Sequence, residues 1–281
     1  MKSEVLIASA ARTPLGKFNG SLSTTSATDL GGIALAASVE RSGIAAEDIE
    51  YTIMGNMLSA GLGMTPARQA AIAAGIPESS SAFTVNKACA SGMQSVILAA
   101  QSIQLGEADV VAAGGMENMS QAPYYLLDAR DGMRMGHKKA IDALIHDGLW
   151  DPYGDMHMGN CAEVLAKEEN YSREEQDSFA AESYRRSMEA IKNGSFQDEI
   201  VAVAISQRKG EPIIVDTDEE PSRGKRDKIE KLPPAFDKEG TITAANASSI
   251  NDGAAALVIV SKEKSSELDL NPICKIIAQA S

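Results

Sequence analysis

The chain has 281 residues, 44% of them apolar, enough to bury a sizeable core in one large domain or two intimate ones. Its 26 basic and 39 acidic side chains leave a net charge of −13, which repels nucleic-acid phosphates and anionic membrane surfaces, so a phosphorylated ligand needs a local basic patch. Cys89, Cys161 and Cys274 are widely spaced and show no CxxC pairing, which argues against a disulfide framework or a zinc site and for a reducing, cytoplasmic setting.

The opening stretch MKSEVLIASAARTP carries Glu4 and only a short apolar run, so it does not read as a signal peptide, and no run approaches the roughly 18 apolar residues of a membrane span. Residues 5–8 (VLIA) read as a buried strand. Thr28 and Asp29 offer a cap for an alanine- and leucine-rich helix ending at Gly43. A second strand is expected over 51–54, a helix from Pro66, a third strand over 83–86, a helix over 91–105 and a strand in VVAAGG at 110–115. Strands alternating with helices imply an α/β sheet, at least partly parallel, and runs this apolar imply burial on both faces. After Met116 the texture changes to methionine, glycine, aspartate and tyrosine, followed by helices near 161–169 and 173–193, which together read as a long excursion from the sheet. Core character returns at AALVIVS (255–261), then a short charged helix, then PICKIIAQA as a further strand.

The segment VNKACASGMQSV places Cys89 between a strand and a helix rich in small residues. Outward-pointing backbone N–H groups and the helix dipole would stabilise a thiolate there, and Ala88, Ala90, Ser91 and Gly92 leave room for a bulky thioester. A buried, inert cysteine is the competing reading. Ser91 and Ser95 lack the G-x-S-x-G surroundings of a serine nucleophile. His137, His146 and His157 are spaced by nine and eleven residues, which does not resemble a metal-ligand pair on one helix face, so no metal is expected. Cys161 and Cys274 read as structural. The methionines of 116–158 read as flexible packing. Residues 223–231 hold Arg223, Lys225, Arg226, Lys228 and Lys231 against Asp227 and Glu230, a basic island that is either a phosphate site or a solvated loop.

Seven stretches in order carry a resemblance: ASAARTPLGKFNGSL, PARQAA, NKACASGMQSV, VAAGGMENMSQAPY, DMHMGNCAE, SREEQD and PAFDKEGTITAANASSINDGAAA. In this order and spacing they resemble the thiolase family along nearly the whole chain, closest to the biosynthetic acetoacetyl-CoA type. The resemblance implies a layered α/β fold with a mixed sheet covered by helices and an inserted loop domain. Its N-terminal domain would span 1–118 and 250–270, the CoA-binding loop domain 119–249, and the first strand of a further thiolase-fold half 271–281. It implies Cys89 as the acyl-accepting nucleophile. It further implies that Leu149, His157, Met158, Phe236, Ala244, Ala247 and Ser248 line a pantetheine channel and that Arg223 meets the nucleotide end, although RGKRDKIEKL departs from the common pattern in length. No cofactor is implied beyond the coenzyme A thioester that serves as substrate. Acetyl-CoA, acetoacetyl-CoA and CoA would be the ligands, and a homodimer or tetramer the assembly of the complete enzyme.

The family's Asn-Glu-Ala-Phe and Gly-His-Pro motifs and its second, glycine-flanked cysteine do not occur in these 281 residues. Cys89 alone supplies a nucleophile and, through its backbone N–H, one part of an oxyanion hole, but no general acid or base. The expectation is therefore a chain inactive by itself, truncated or completed by another. A non-catalytic acyl-CoA-binding or assembly protein, a ketosynthase or hydroxymethylglutaryl-CoA synthase, and a generic α/β protein are the competing readings. DMHMG and NASSINDGAAA favour thiolase over another condensing enzyme.

Overall fold

The computed structural model describes residues 3–223 and 226–280, apart from the side chains of Arg223, Arg226 and Asp227. Contacts divide the chain into two units: Met1–Gln121, Asp198–Thr217 and Asn251–Ser281 form the first, Ala122–Gln197 and Asp218–Ile250 the second.

The first unit is built on one sheet. Its strands are β1 (Val5–Arg12), β2 (Gly16–Lys17), β3 (Tyr51–Gly55), β4 (Ser81–Val85), β5 (Val110–Asn118), β6 (Asn251–Ser261) and β7 (Cys274–Lys275). They lie in the order β7-β1-β6-β5-β3-β4, with β2 paired to β6. The sheet is mixed: β3 runs parallel to β4 and β5, whereas β6 is antiparallel to β1 and β5. The parallel part is the part joined through helices, as a parallel crossover requires. Helix α1 (Ala27–Ser42) is capped by Ser26, whose hydroxyl accepts the Asp29 N–H, two residues earlier than the Thr28-Asp29 cap expected from sequence. It ends at Gly43 in the left-handed conformation. Helix α2 (Pro66–Ala73) links β3 to β4, and α3 (Ser91–Leu105) links β4 to β5.

Successive residues of β5 feed opposite cores, as the strand's period of two dictates. Val110, Ala112 and Met116 pack with Leu30, Leu35, Ala67 and Ala70 on one face. Val111 and Ala113 pack with Ala99, Ala100 and Ile103 on the other. Burial on both faces does not extend to β4, an edge strand whose Phe83 is 44% exposed. Apolar composition alone does not distinguish an edge strand from a central one.

Two stretches fall elsewhere than expected. Asp198–Thr217 belongs with the sheet unit, interrupting the excursion expected over 119–249. Arg12 N–H donates to the Glu199 carbonyl, Val201 N–H donates back to Arg12, and Val203 and Val215 join the core beside Leu22. The segment after 271 contributes β7, which pairs with Leu6 and Ile7 on the outer edge of the same sheet.

Gly55, Gly92 and Gly115 bring α3 against the sheet, and Gly114 brings β5 close to β6. A Cβ on Gly55 would lie 2.4 Å from the Ser91 carbonyl carbon, one on Gly114 2.1 Å from the Ala255 oxygen, and one on Gly115 3.2 Å from the Gly92 Cα. All three neighbours are backbone atoms and cannot rotate away. Gly55→Ala is therefore expected to cost about 3 kcal/mol in urea unfolding, at the upper end of overpacking costs. Gly106→Ala, at φ +74 with nothing near its Cβ, should cost only about 1 kcal/mol from backbone strain.

Candidate active site

Cys89 lies in a sharp turn between β4 and α3 and is exposed. The turn is closed by its own backbone and by two side chains. Ala90 N–H donates to the Lys87 carbonyl at 3.1 Å, and Ser91 N–H to the Ala88 carbonyl at 3.0 Å. Ser91 Oγ accepts the Lys87 N–H at 2.8 Å and donates to the Ala88 carbonyl at 2.5 Å. Ala88 has φ +49, a left-handed conformation that costs a residue with a Cβ about 1–2 kcal/mol. Its N–H is held by Asn86 Oδ1 at 3.0 Å. The outward-pointing amides expected ahead of the helix are thus partly consumed by the turn, which fixes where the sulfur points. Ser95, fully buried, donates to the Gly92 and Gly114 carbonyls, both at 2.7 Å, and ties the first turn of α3 to β5. Neither serine is a free nucleophile, because both hydroxyls are spent on backbone.

The channel residues expected from sequence fall in the second unit, and several of them meet there. His157 N-caps helix α4 (Met158–Glu168): its Nδ1 accepts the Gly159 N–H at 3.0 Å, which leaves Nε2 as the donor edge of the neutral ring. The Phe236 ring stacks on it with centroids 4.9 Å apart and planes inclined by 23°. Gly159 lets that ring in, since a Cβ there would sit 2.4 Å from it, and Asn160 Nδ2 donates to the Phe236 carbonyl at 3.2 Å. Met158 follows with its side chain 42% exposed. Leu149 ends a wide helical turn, Leu144–Leu149, and its neighbour Trp150 pairs with His157 across a short hairpin. That turn borders a groove of about 190 Å³ lined by Ile141, Asp142, Ile145, His146 and Trp150. Beside it Tyr125 donates to the Asp147 carboxylate, which with partial desolvation pushes the phenol up to about 12.

Ala244, Ala247 and Ser248 lie on a turn joined to the segment before Phe236 by the Ala235 N–H to Ile242 carbonyl bond of 2.8 Å and the Pro234–Thr243 bridge. Ala244 and Ser248 are exposed and Ala247 half-buried. Arg223 ends a short turn, Glu220–Arg223, but its side chain, like Lys225, lies outside the described residues.

The residues that hold this turn carry no role in the sequence reading. Glu163 of α4 accepts the Thr241 and Ile242 N–H groups, both at 2.8 Å, and the Thr241 hydroxyl at 3.1 Å. Asn246 donates to Asp177 at 2.9 Å and to the Thr241 carbonyl at 3.0 Å, while its Oδ1 accepts the Thr243 N–H at 2.7 Å. Asp177, on helix α5 (Arg173–Lys192), is buried and paired with Arg173 at 2.7 Å. The i,i+4 spacing of Arg173 and Asp177 was a signal available in SREEQD; the long-range partners were not. Three other residues also differ from expectation: Cys274, read as structural, is exposed, and Met133 and Met135 face solvent rather than packing.

This chain carries a mixed sheet under helices and an exposed cysteine at a strand-to-helix turn. Residues 5–263 match the family model described as "Thiolase, N-terminal domain". The chain is 51% identical over 278 residues to an acetyl-CoA acetyltransferase of Cupriavidus necator, covering 99% of this chain and 71% of that protein. It is 51% identical over 275 residues to acetyl-CoA acetyltransferase 2 of Arabidopsis thaliana, covering 97% and 68%. Among solved structures, the Acat5 thiolase from Ascaris suum in complex with coenzyme A superposes with a TM-score of 0.93 at 44% identity, covering 98% of this chain and 70% of that one. The chain belongs to the thiolase family.

Glu163→Ala would strand two backbone N–H groups, so it is expected to cost about 2 kcal/mol in denaturant titration and to speed amide exchange over 241–247. Exchange as slow as in the unsubstituted chain would show that another group holds the turn.

Proposed function

We propose that the chain carries the acyl-transfer step of an acetyl-CoA C-acetyltransferase, with Cys89 as the residue acylated. The observation that carries this reading is the exposed thiol on a turn whose geometry is fixed by Ser91, Asn86 and the close approach of α3 to the sheet. The sulfur, as thiolate, attacks the acetyl-CoA carbonyl carbon; a new C–S bond forms, and CoA leaves as the thiolate that takes up a proton. The α-carbon of a second acetyl-CoA then gives up a proton and attacks the thioester carbonyl, the C–S bond to Cys89 breaks to return its thiolate, and acetoacetyl-CoA forms, or the sequence runs in reverse as thiolysis. Leu149, His157, Met158, Phe236, Ala244, Ala247 and Ser248 are proposed to contact pantetheine, and Arg223 the nucleotide. That a relative with the same fold is solved in complex with coenzyme A supports coenzyme A as the ligand.

All three histidines of the sequence fall in the second unit, so the unit holding Cys89 has no imidazole of its own to move protons. The acid/base chemistry of condensation needs further groups, and the 281-residue chain is proposed to be inactive in turnover by itself. A homodimer or tetramer in a reducing cytoplasm is proposed on the half-exposed edge strand β4 and the three free cysteines. Among the described residues no helix is long and apolar enough to cross a membrane.

The test is incubation with acetyl-CoA, acid quench and peptide mass spectrometry. An acetyl group on Cys89, absent from Cys89→Ser, is the expected result. CoA binding without an adduct would instead favour a binding or assembly role.

A further inference from the structure

Glu117 is the one acid in the apolar run of β5, and its carboxylate is spent on a loop it meets from 60 residues away. It accepts the Met57 N–H at 2.9 Å, the Leu58 N–H at 3.2 Å and the Asn56 Nδ2–H at 2.9 Å. Asn56, almost wholly buried, also donates from Nδ2 to the Met116 carbonyl at 3.0 Å and accepts the Ser59 hydroxyl at 2.6 Å. The clamped loop then reaches the cysteine turn: the Met57 carbonyl accepts the Asn86 Nδ2–H at 3.3 Å, and Asn86 Oδ1 holds the N–H of left-handed Ala88 at 3.0 Å. An Asn side chain engaged at both ends has one orientation, which orients the residue ahead of Cys89.

We propose that Glu117 is a positioning residue for Cys89, acting through the 56–58 loop and Asn86. The inference rests on the reading of Cys89 as the reactive thiol. Three N–H donors occupy the carboxylate, so Glu117 has no direct chemical role; burial raises its pKa while those donors oppose the rise. Its substitution by an amide would turn one acceptor into a donor facing the donors of the loop.

The experiment measures alkylation of Cys89 by iodoacetamide at fixed pH in the full chain, by peptide mass spectrometry, for Glu117→Gln, Asn86→Ala and the double variant. Cys274, exposed on β7 of the same sheet, is the internal control for general loosening. Each single substitution is expected to slow Cys89 about tenfold, a cost typical of a misaimed reacting group, with Cys274 unchanged. The double variant should be no slower than the slower single one, since both act along one path. A Glu117→Gln rate at Cys89 equal to that of the unsubstituted chain, parallel changes at both cysteines, or multiplying effects in the double variant would each overturn the proposal. If Glu117→Gln does not fold, Asn86→Ala decides: exposed Asn86 can be truncated without opening a core, and an unaltered Cys89 rate breaks the relay. Acetylation by acetyl-CoA is followed in parallel. Its absence in the unsubstituted chain counts against the acyl-transfer reading and leaves the alkylation comparison standing.

Discussion

The feature on which the first unit depends is the contact between the start of α3 and the backbone of β3 and β5. Gly55, Gly92 and Gly115 remove the side chains that would hold the helix away, and Ser95 replaces them with hydrogen bonds to carbonyls. A helix seated that close cannot be entered by a relaxed loop. The chain turns in the five residues between Val85 and Ser91, and the strain appears at Ala88. Strained conformations of this kind persist only where neighbours over-determine them. Here the neighbours are Asn86 and Ser91 on either side of the cysteine.

The second unit solves a different problem with the same means. It has few long strands and a modest buried core, so its turns are held by carboxylates that accept backbone N–H groups. Glu163 and Asp177 together organise the segment from Thr241 to Asn246. In a chain with so large an acidic excess, part of the negative charge thereby serves as internal scaffolding. Charge-assisted bonds of this type are among the stronger ones available to a turn.

Much of the fold was legible because local rules and tertiary context agree. The helix over 91–105 follows from its small and apolar residues, and the stop at Gly43 from the left-handed cap. The position of Cys89 between a strand and a helix was legible from the flanking pattern, whereas its role as nucleophile came from the family resemblance. What escaped depends on partners distant in the chain. Nothing near Glu163 announces Thr241, and nothing near Glu117 announces Met57. The edge position of β4, the return of Asp198–Thr217 to the sheet and the docking of Cys274–Lys275 beside β1 are likewise decisions of the whole chain. Apolar spacing cannot encode them.

In the turn over 243–248 the residues that hold the backbone and those that face outward are different residues. Thr243 and Asn246 make hydrogen bonds within the turn, while Ala244 and Ser248 are exposed. Such a surface can be rewritten by mutation one position at a time without disturbing its frame, so lineages sharing this fold can diverge in what they accept while the architecture stays constant.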